Sequence, residues 1–256
     1  MRTVWFMILG ALIIGVQSAE GLRRRKRDWV IPPLNIPENS NGPFPQKIAQ
    51  VRASKDQSKT LSYSITGPGA DQDPLHIFIV QKDTGDLYVT QRLDREKQDF
   101  YKLLIHAVVE DGSAAEEPIE IVINVIDIND NKPVFTEDIF AGEVFESSPI
   151  GTEVIQVNAT DLDEPGSDNS IIKYSIQSQD PQKPNSSLFT INPDTGVITV
   201  GAAGLDSQKY PQYTLEVQAA DMRGHGLTGR AKVVLNVTKN DESVPVIDQI
   251  SAKTDP

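Results

Sequence analysis

Seven consecutive residues, Asp127-Ile128-Asn129-Asp130-Asn131-Lys132-Pro133, stack carboxylates and amides and then stop on a proline. Carboxylate, amide and backbone oxygens are the ligands of a hard cation, and calcium takes roughly 6–8 of them at about 2.3–2.6 Å. A connection that only had to flex would be written in Gly and Ser. The segment therefore reads as a hinge set by calcium. Further carboxylates stand two residues apart in Leu93-Asp94-Arg95-Glu96 and Asp161-Leu162-Asp163. One such loop by itself is usually just solvated; several converging on one place would be a site. Other chemistry is poorly supplied. His76, His106 and His225 are the only histidines, and the chain has no Cys, no Gly-x-Ser-x-Gly and no His-Glu-x-x-His. Gly67-Pro68-Gly69 lacks the strand–helix context of a phosphate loop. The expectation is that the chain is not an enzyme.

The elements that position these residues come as two copies of one unit. Tyr63-Ser64-Ile65 answers Tyr174-Ser175-Ile176, Phe78 answers Phe189, and Asp83-Thr84-Gly85 answers Asp194-Thr195-Gly196. Leu93-Asp94 answers Leu205-Asp206, Asn124-Val125 answers Asn236-Val237, and Glu38 answers Glu146. A nearly constant offset across six landmarks means two homologous domains. Within a copy, residues 102–109 alternate, with Leu103, Ile105, Ala107 and Val109 on one face. Residues 119–125 alternate as well, with Ile119, Ile121, Ile123 and Val125 inward. The Asp-Thr-Gly triplets mark hairpin turns, and no stretch keeps a helical period. The predicted fold is all-β: two tandem seven-stranded Greek-key β-sandwiches, immunoglobulin-like in architecture. Loops of a sandwich cluster at its two ends, so loops of both domains can meet at the link.

The ends of the chain read differently. Residues 4–16 are an unbroken apolar run behind Arg2, followed by Ser18 and Ala19. A bilayer needs about 20 apolar residues, so 1–19 reads as a signal peptide. Residues 20–27 read as a short pro-segment ending in Arg23-Arg24-Arg25-Lys26-Arg27, a processing site that leaves Asp28 as the new N-terminus. The domains are expected at 28–133 and 134–245, with a tail at 246–256. The chain carries 24 basic and 36 acidic residues, a net charge of −12. Cleavage after Arg27 removes six basic residues and Glu20, leaving 18 basic against 35 acidic, or −17. Such a charge disfavours nucleic acid and suits a collector of divalent cations. The lack of cysteine in an oxidising compartment means that no disulfide staples the fold.

Residues 28–245 resemble the type I cadherins. The resemblance rests on Asp28-Trp29-Val30-Ile31-Pro32-Pro33, Pro37-Glu38-Asn39, Leu93-Asp94-Arg95-Glu96, His106-Ala107-Val108, Asp127 through Pro133, and Asp161-Leu162-Asp163. It implies three calcium ions at the domain junction. The ligands it implies are Glu38, Asp94, Glu96, Asp127, Asn129, Asp130, Asp161, Asp163 and Asp221, with the carbonyls of Ile128, Asn131 and Asn169. Eight of these are carboxylates, −8 against +6 from the ions, which repel one another strongly without metal. No second cluster is expected at the far end of the second domain. There Glu146 and Asp206 persist, but Gln208 stands for Glu96, Thr238 for Asp127 and Glu242 for Asn131.

The resemblance further implies homophilic adhesion by exchange of the N-terminal strand. Trp29 would enter a partner's pocket lined by Val51, Tyr63, Ile105, Ala107 and Ile119, while Glu116 meets the new amino group of Asp28. Pro32-Pro33 supplies a reason, since two prolines remove donors and strain the closed strand. Position 105 is usually small in the family, and Ile105 narrows the pocket. His106-Ala107-Val108 is read as structural rather than as a contact epitope. Sequons at Asn158, Asn185 and Asn236 are expected glycan sites; the bland alternative is that strand burial leaves one unused, Asn236 first. Expected partners are a second copy and other type I cadherins, at the cell surface or secreted; no nucleic acid and no membrane span are expected. The rival reading is a soluble, truncated decoy or non-adhesive calcium-stiffened spacer.

Overall fold

The computed structural model describes residues 32–53, 60–109 and 112–239. The signal peptide, the pro-segment, Asp28, Trp29 and the 246–256 tail lie outside the described residues.

Among the described residues, the first repeat has seven strands in two sheets. β1 (Leu34–Pro37), β7 (Ile119–Ile126), β6 (Phe100–Val109) and β3 (Leu61–Thr66) form one sheet in that order. The other is β2 (Gln46–Gln50), β5 (Asp86–Val89) and β4 (Phe78–Val80). β1 runs parallel to β7, with Leu34 opposite Ile123, whereas β6 is antiparallel to both β3 and β7. Side chains of a strand alternate between faces. Tyr101, Leu103 and Ile105 of β6 are accordingly buried between the sheets, and Phe100, Lys102 and Leu104 face out. The alternation fades at the end of β6. His106, Ala107 and Val108 are all half-buried, with a hydrogen bond between His106 Nε2 and Thr66 Oγ1 at 2.9 Å.

The second repeat repeats this plan. β9 (Ile139–Phe145), β16 (Thr228–Thr238), β15 (Gln212–Ala220) and β12 (Lys173–Asp180) form the four-stranded sheet. β10 (Glu153–Gln156), β14 (Val197–Val200) and β13 (Phe189–Ile191) form the three-stranded one. A short pair, β8 (Val134–Phe135) with β11 (Ala159–Thr160), is added where the chain enters the repeat. The cores share an aromatic pair. Phe78 meets Tyr101 edge-on at 5.0 Å in the first, and Phe189 meets Tyr213 edge-on at 5.5 Å in the second. Burying each such side chain is worth roughly 1.5–3 kcal/mol. The Asp-Thr-Gly turns close β4–β5 and β13–β14. Gly85 and Gly196 have φ of 68° and 71°, and a Cβ there would stand 2.1 Å and 2.2 Å from the Val51 and Val157 carbonyl oxygens. Only glycine fits both demands. The helical elements among the described residues are single 3-10 turns at Asp168–Ser170 and Met222–Gly224, so the all-β expectation holds.

Candidate metal centre

Every expected ligand segment lies on a loop at the junction of the two repeats. Glu38 follows β1, residues 93–98 follow β5, and 127–133 join β7 to β8. From the second repeat come residues 161–163 after β11, the 3-10 turn at Asp168–Ser170, and Asp221 after β15. The carboxylates fall into three groups whose oxygens lie within 4.8 Å of one another: Glu38, Glu96 and Asp127; Glu96, Asp130 and Asp163; Asp161, Asp163 and Asp221. Glu96 and Asp163 are each shared, so the groups form a row across the junction.

Local bonds fix the row. Glu38 is 1% exposed, and its two oxygens accept the backbone N–H groups of Arg95 and Ile128, both at 2.9 Å. Asp127 reaches both repeats. Its Oδ1 accepts from Arg95 Nε at 2.5 Å and from the Glu164 N–H at 3.0 Å, and its Oδ2 accepts from Asn169 Nδ2 at 2.7 Å. Asp130 accepts from the Asn39 and Asn131 side-chain amides. Asp163 Oδ1 accepts from the Asn131 N–H and side-chain amide at 3.2 and 2.9 Å. Asn129 Nδ2 donates to Asp221 Oδ1 at 3.1 Å.

What these bonds leave over decides whether a cation fits. Asp161 Oδ2, Asp163 Oδ2, Asp221 Oδ2 and Asn129 Oδ1 are buried without any hydrogen-bond partner. Each such orphan costs about 1–3 kcal/mol, and four at one spot are an oxygen cage of the kind a hard cation takes. Burial, followed by the neighbouring carboxylates, pushes Asp130 and Asp161 above the ordinary carboxylate range. Burial also raises Glu96, with Glu38 adding to it. A divalent ion supplies the missing charge, so the donor set fits.

Four observations add to or correct the sequence expectation. Asp94 stands outside the three groups; Lys97 holds both of its oxygens, through the backbone N–H at 3.0 Å and through Nζ at 2.6 Å, and keeps its carboxyl below the usual range. Asn39 and Arg95 contribute side chains that were not expected at the site; their places in Pro37-Glu38-Asn39 and Leu93-Asp94-Arg95-Glu96 were the available signal. Gly226 was also missed. A Cβ there would stand 1.8 Å from Asp221 Oδ1 and 2.9 Å from Asn129 Nδ2, so the site requires a residue without one. Finally, the far end of the second repeat is matched differently. Glu146 N–H donates to Thr238 O at 2.9 Å just as Glu38 N–H donates to Ile126 O at 3.0 Å. Thr238 is therefore the counterpart of Ile126, and Lys239, not Thr238, replaces Asp127. The Glu242 assignment falls outside the described residues. Glu146 Oε2 binds the Ser207 N–H and Oγ, and Lys209 pairs with Asp206 at 3.0 Å; these partners lower both carboxyls.

Strand register brings four of the expected pocket residues, Tyr63, Ile105, Ala107 and Ile119, next to one another. Tyr63 on β3 lies opposite Ala107, and Ile105 lies opposite both Ile65 and Ile119. Tyr63 Oη accepts from the Ala53 N–H at 3.2 Å, next to Val51. Val51, Tyr63 and Ile105 are buried, whereas Ala107, Ile119 and Glu116 are half-buried. Asn158, Asn185 and Asn236 are all exposed. Alternation along β16 aims Asn236 outward, with Gln212 Nε2 donating to its Oδ1 at 3.0 Å.

Two seven-stranded sandwiches joined end to end by an acidic link define a tandem-repeat ectodomain. The cadherin domain pattern matches residues 32–126 and 140–238, and the chain belongs to the cadherin family. Its repeats are of the type I kind. It is 50% identical over 232 residues to "Cadherin-2" of Gallus gallus, covering 90% of this chain and 25% of that protein. It is 48% identical over 228 residues to "Cadherin-1" of Gallus gallus, covering 89% and 26%. The crystal structure of the human Desmocollin-1 ectodomain superposes with a TM-score of 0.74 at 40% identity, covering 82% of this chain and 39% of that one. The chain thus spans about a quarter of the length of the curated relatives it matches. Cadherins are adhesion proteins and not enzymes, in line with the expectation from the histidine and cysteine counts.

Proposed function

We propose that the chain is a calcium-dependent homophilic adhesion module whose two repeats, 28–133 and 134–245, are held in line by three calcium ions. The observation that carries this reading is the row of three carboxylate groups ending in four orphaned buried oxygens. One ion would sit at Glu38, Glu96 and Asp127, one at Glu96, Asp130 and Asp163, and one at Asp161, Asp163, Asp221 and Asn129. The carbonyls of Ile128, Asn131 and Asn169 complete the set, and Asp94 joins it on releasing Lys97. When bound, calcium supplies only charge and a fixed geometry. The residues themselves hold the link against both repeats and exclude water from it. Residues 1–19 direct the chain out of the cell and 20–27 are removed, so that the module is extracellular. Asn158, Asn185 and Asn236 carry glycans.

Adhesion in this reading comes from exchange of residues 28–31. Trp29 enters the pocket of Val51, Tyr63, Ile105, Ala107 and Ile119 on a second copy, and Glu116 receives the amino group of Asp28. Burying an indole is worth roughly 2–3 kcal/mol, but the closed monomer makes the same contact. The net affinity is then weak, on the order of micromolar or above. Other type I cadherins with the same pocket are further partners. The decoy or spacer reading draws support from one observation: Ile105 is 2% exposed, so its whole side chain occupies space a smaller residue would leave open. Sedimentation of the processed protein in millimolar calcium separates the two. Dimers lost on Trp29→Ala and in chelator support adhesion; equal sedimentation of parent and variant overturns strand exchange.

A further inference from the structure

The only side-chain cation paired with the three carboxylate groups, among the described residues, is Arg95. Its Nε donates to Asp127 Oδ1 at 2.5 Å, and one terminal nitrogen donates to Glu96 Oε1 and to the Leu162 carbonyl, both at 2.6 Å. Three parts of the molecule thus meet on one guanidinium: a loop of the first repeat, the link, and the Asp161-Leu162-Asp163 loop of the second repeat. The Arg95 side chain is 12% exposed and that of Asp127 only 3%, so the contact is shielded from solvent. Lys97 is no substitute. It is 82% exposed and turned to Asp94. A planar fork with five donors can bridge several oxygens at once, which an ammonium on a flexible stem cannot.

We infer that Arg95 is a built-in, calcium-independent tie across the junction that competes with the divalent ions for Glu96 and Asp127. Without calcium the guanidinium gathers the first carboxylate group and the second repeat's loop, and keeps the link partly ordered. With calcium, the same two carboxylates are claimed by an ion of twice the charge. An open cleft of about 350 Å³, lined by Glu96, Gln98, Asp99, Leu162 and Pro165 beside Arg95, leaves room for the guanidinium to withdraw. The tie therefore raises the calcium concentration at which the junction stiffens, while limiting how far the repeats come apart below it. This rests on the calcium reading only for its second half.

The test uses Arg95→Gln and Arg95→Lys in the processed chain, with cleavage by proteinase K between 127 and 133 followed by mass spectrometry. In chelator, both variants should be cut several-fold faster than the parent. On calcium titration, Arg95→Gln should reach protection at roughly three- to tenfold lower calcium, as loss of one nearby positive charge requires. Arg95→Lys should reach protection at a calcium concentration between those of the parent and Arg95→Gln, since it keeps the charge but loses the bridge. Parental melting in saturating calcium confirms that the variants fold. Equal cleavage of parent and Arg95→Gln in chelator overturns the tie. A midpoint at or above the parent's for Arg95→Gln overturns the competition. Should calcium protect none of the three proteins, the metal reading falls, and the chelator comparison still decides the tie.

Discussion

Replacing Asp163 by Asn should stabilise the protein without calcium and destabilise it with calcium. Asp163 is fully buried and belongs to two carboxylate groups, with oxygens of Glu96 and Asp130 on one side and of Asp161 and Asp221 on the other, all within 4.8 Å. Two unit charges at that distance repel by about 3 kcal/mol at an effective dielectric near 20. The four terms do not add in full, because Arg95 offsets part of the charge. A net relief of about 2 kcal/mol is reasonable, or about 4–8 °C in melting temperature for a chain of this size. Asn keeps an oxygen for the Asn131 donors now held by Oδ1. In calcium the sign reverses. An ion bound at roughly 10⁻⁴ M contributes about 1.8 kcal/mol at about 2 mM calcium, and Asp163 serves two such ions. Calorimetry in chelator and in calcium should show two well-separated parent transitions and two nearly coincident variant ones. An Asp163→Asn protein that melts below the parent in chelator would refute the reasoning, because the carboxylate would then be a structural acceptor rather than a held-apart ligand.

Three more outcomes follow from the same geometry. Gly226→Ala pushes a methyl into Asp221 Oδ1 and should weaken calcium binding by about tenfold or more, with the second repeat still folded, as titration calorimetry and melting can check. Lys239→Ala should leave the calcium stoichiometry unchanged, because Gln208 and Ser207 already deny the far end of the second repeat its ligands; native mass spectrometry counts the ions. Expression in a secreting cell should give three N-glycans, and Asn236→Gln should remove one of them in the mass spectrum, whereas a parent carrying two would show that β16 is inaccessible.

Much of this was legible in the sequence, for physical reasons that can be named. Period-two alternation in residues 102–105 and 119–125 fixed which side chains face inward, and the 111–112 residue offset fixed the duplication. The acidic link announced the junction because carboxylates and amides have little other use between two domains. Less legible was everything that depended on register. The counterpart of Asp127 is the example: the 111-residue offset of the first landmarks points to Thr238, the 112-residue offset of Asn124-Val125 and Asn236-Val237 gives Lys239, and the paired Glu38–Ile126 and Glu146–Thr238 hydrogen bonds agree with Lys239. Arg95 was passed over because a basic residue inside an acidic motif looks like solvated surface. Nothing in a sequence shows that a guanidinium folds back onto its own neighbours. Gly226 was invisible for a similar reason, since only the position of Asp221 reveals what its missing Cβ would strike.

Divalent ions are expected in the row of carboxylates at the junction and nowhere else along the two repeats. Crystals grown in calcium, with anomalous difference density recorded at long wavelength, test it most directly. Three peaks are expected: among Glu38, Glu96 and Asp127; among Glu96, Asp130 and Asp163; and among Asp161, Asp163, Asp221 and Asn129. Density missing from these positions, or an equal peak beside Glu146 and Asp206, would contradict the account.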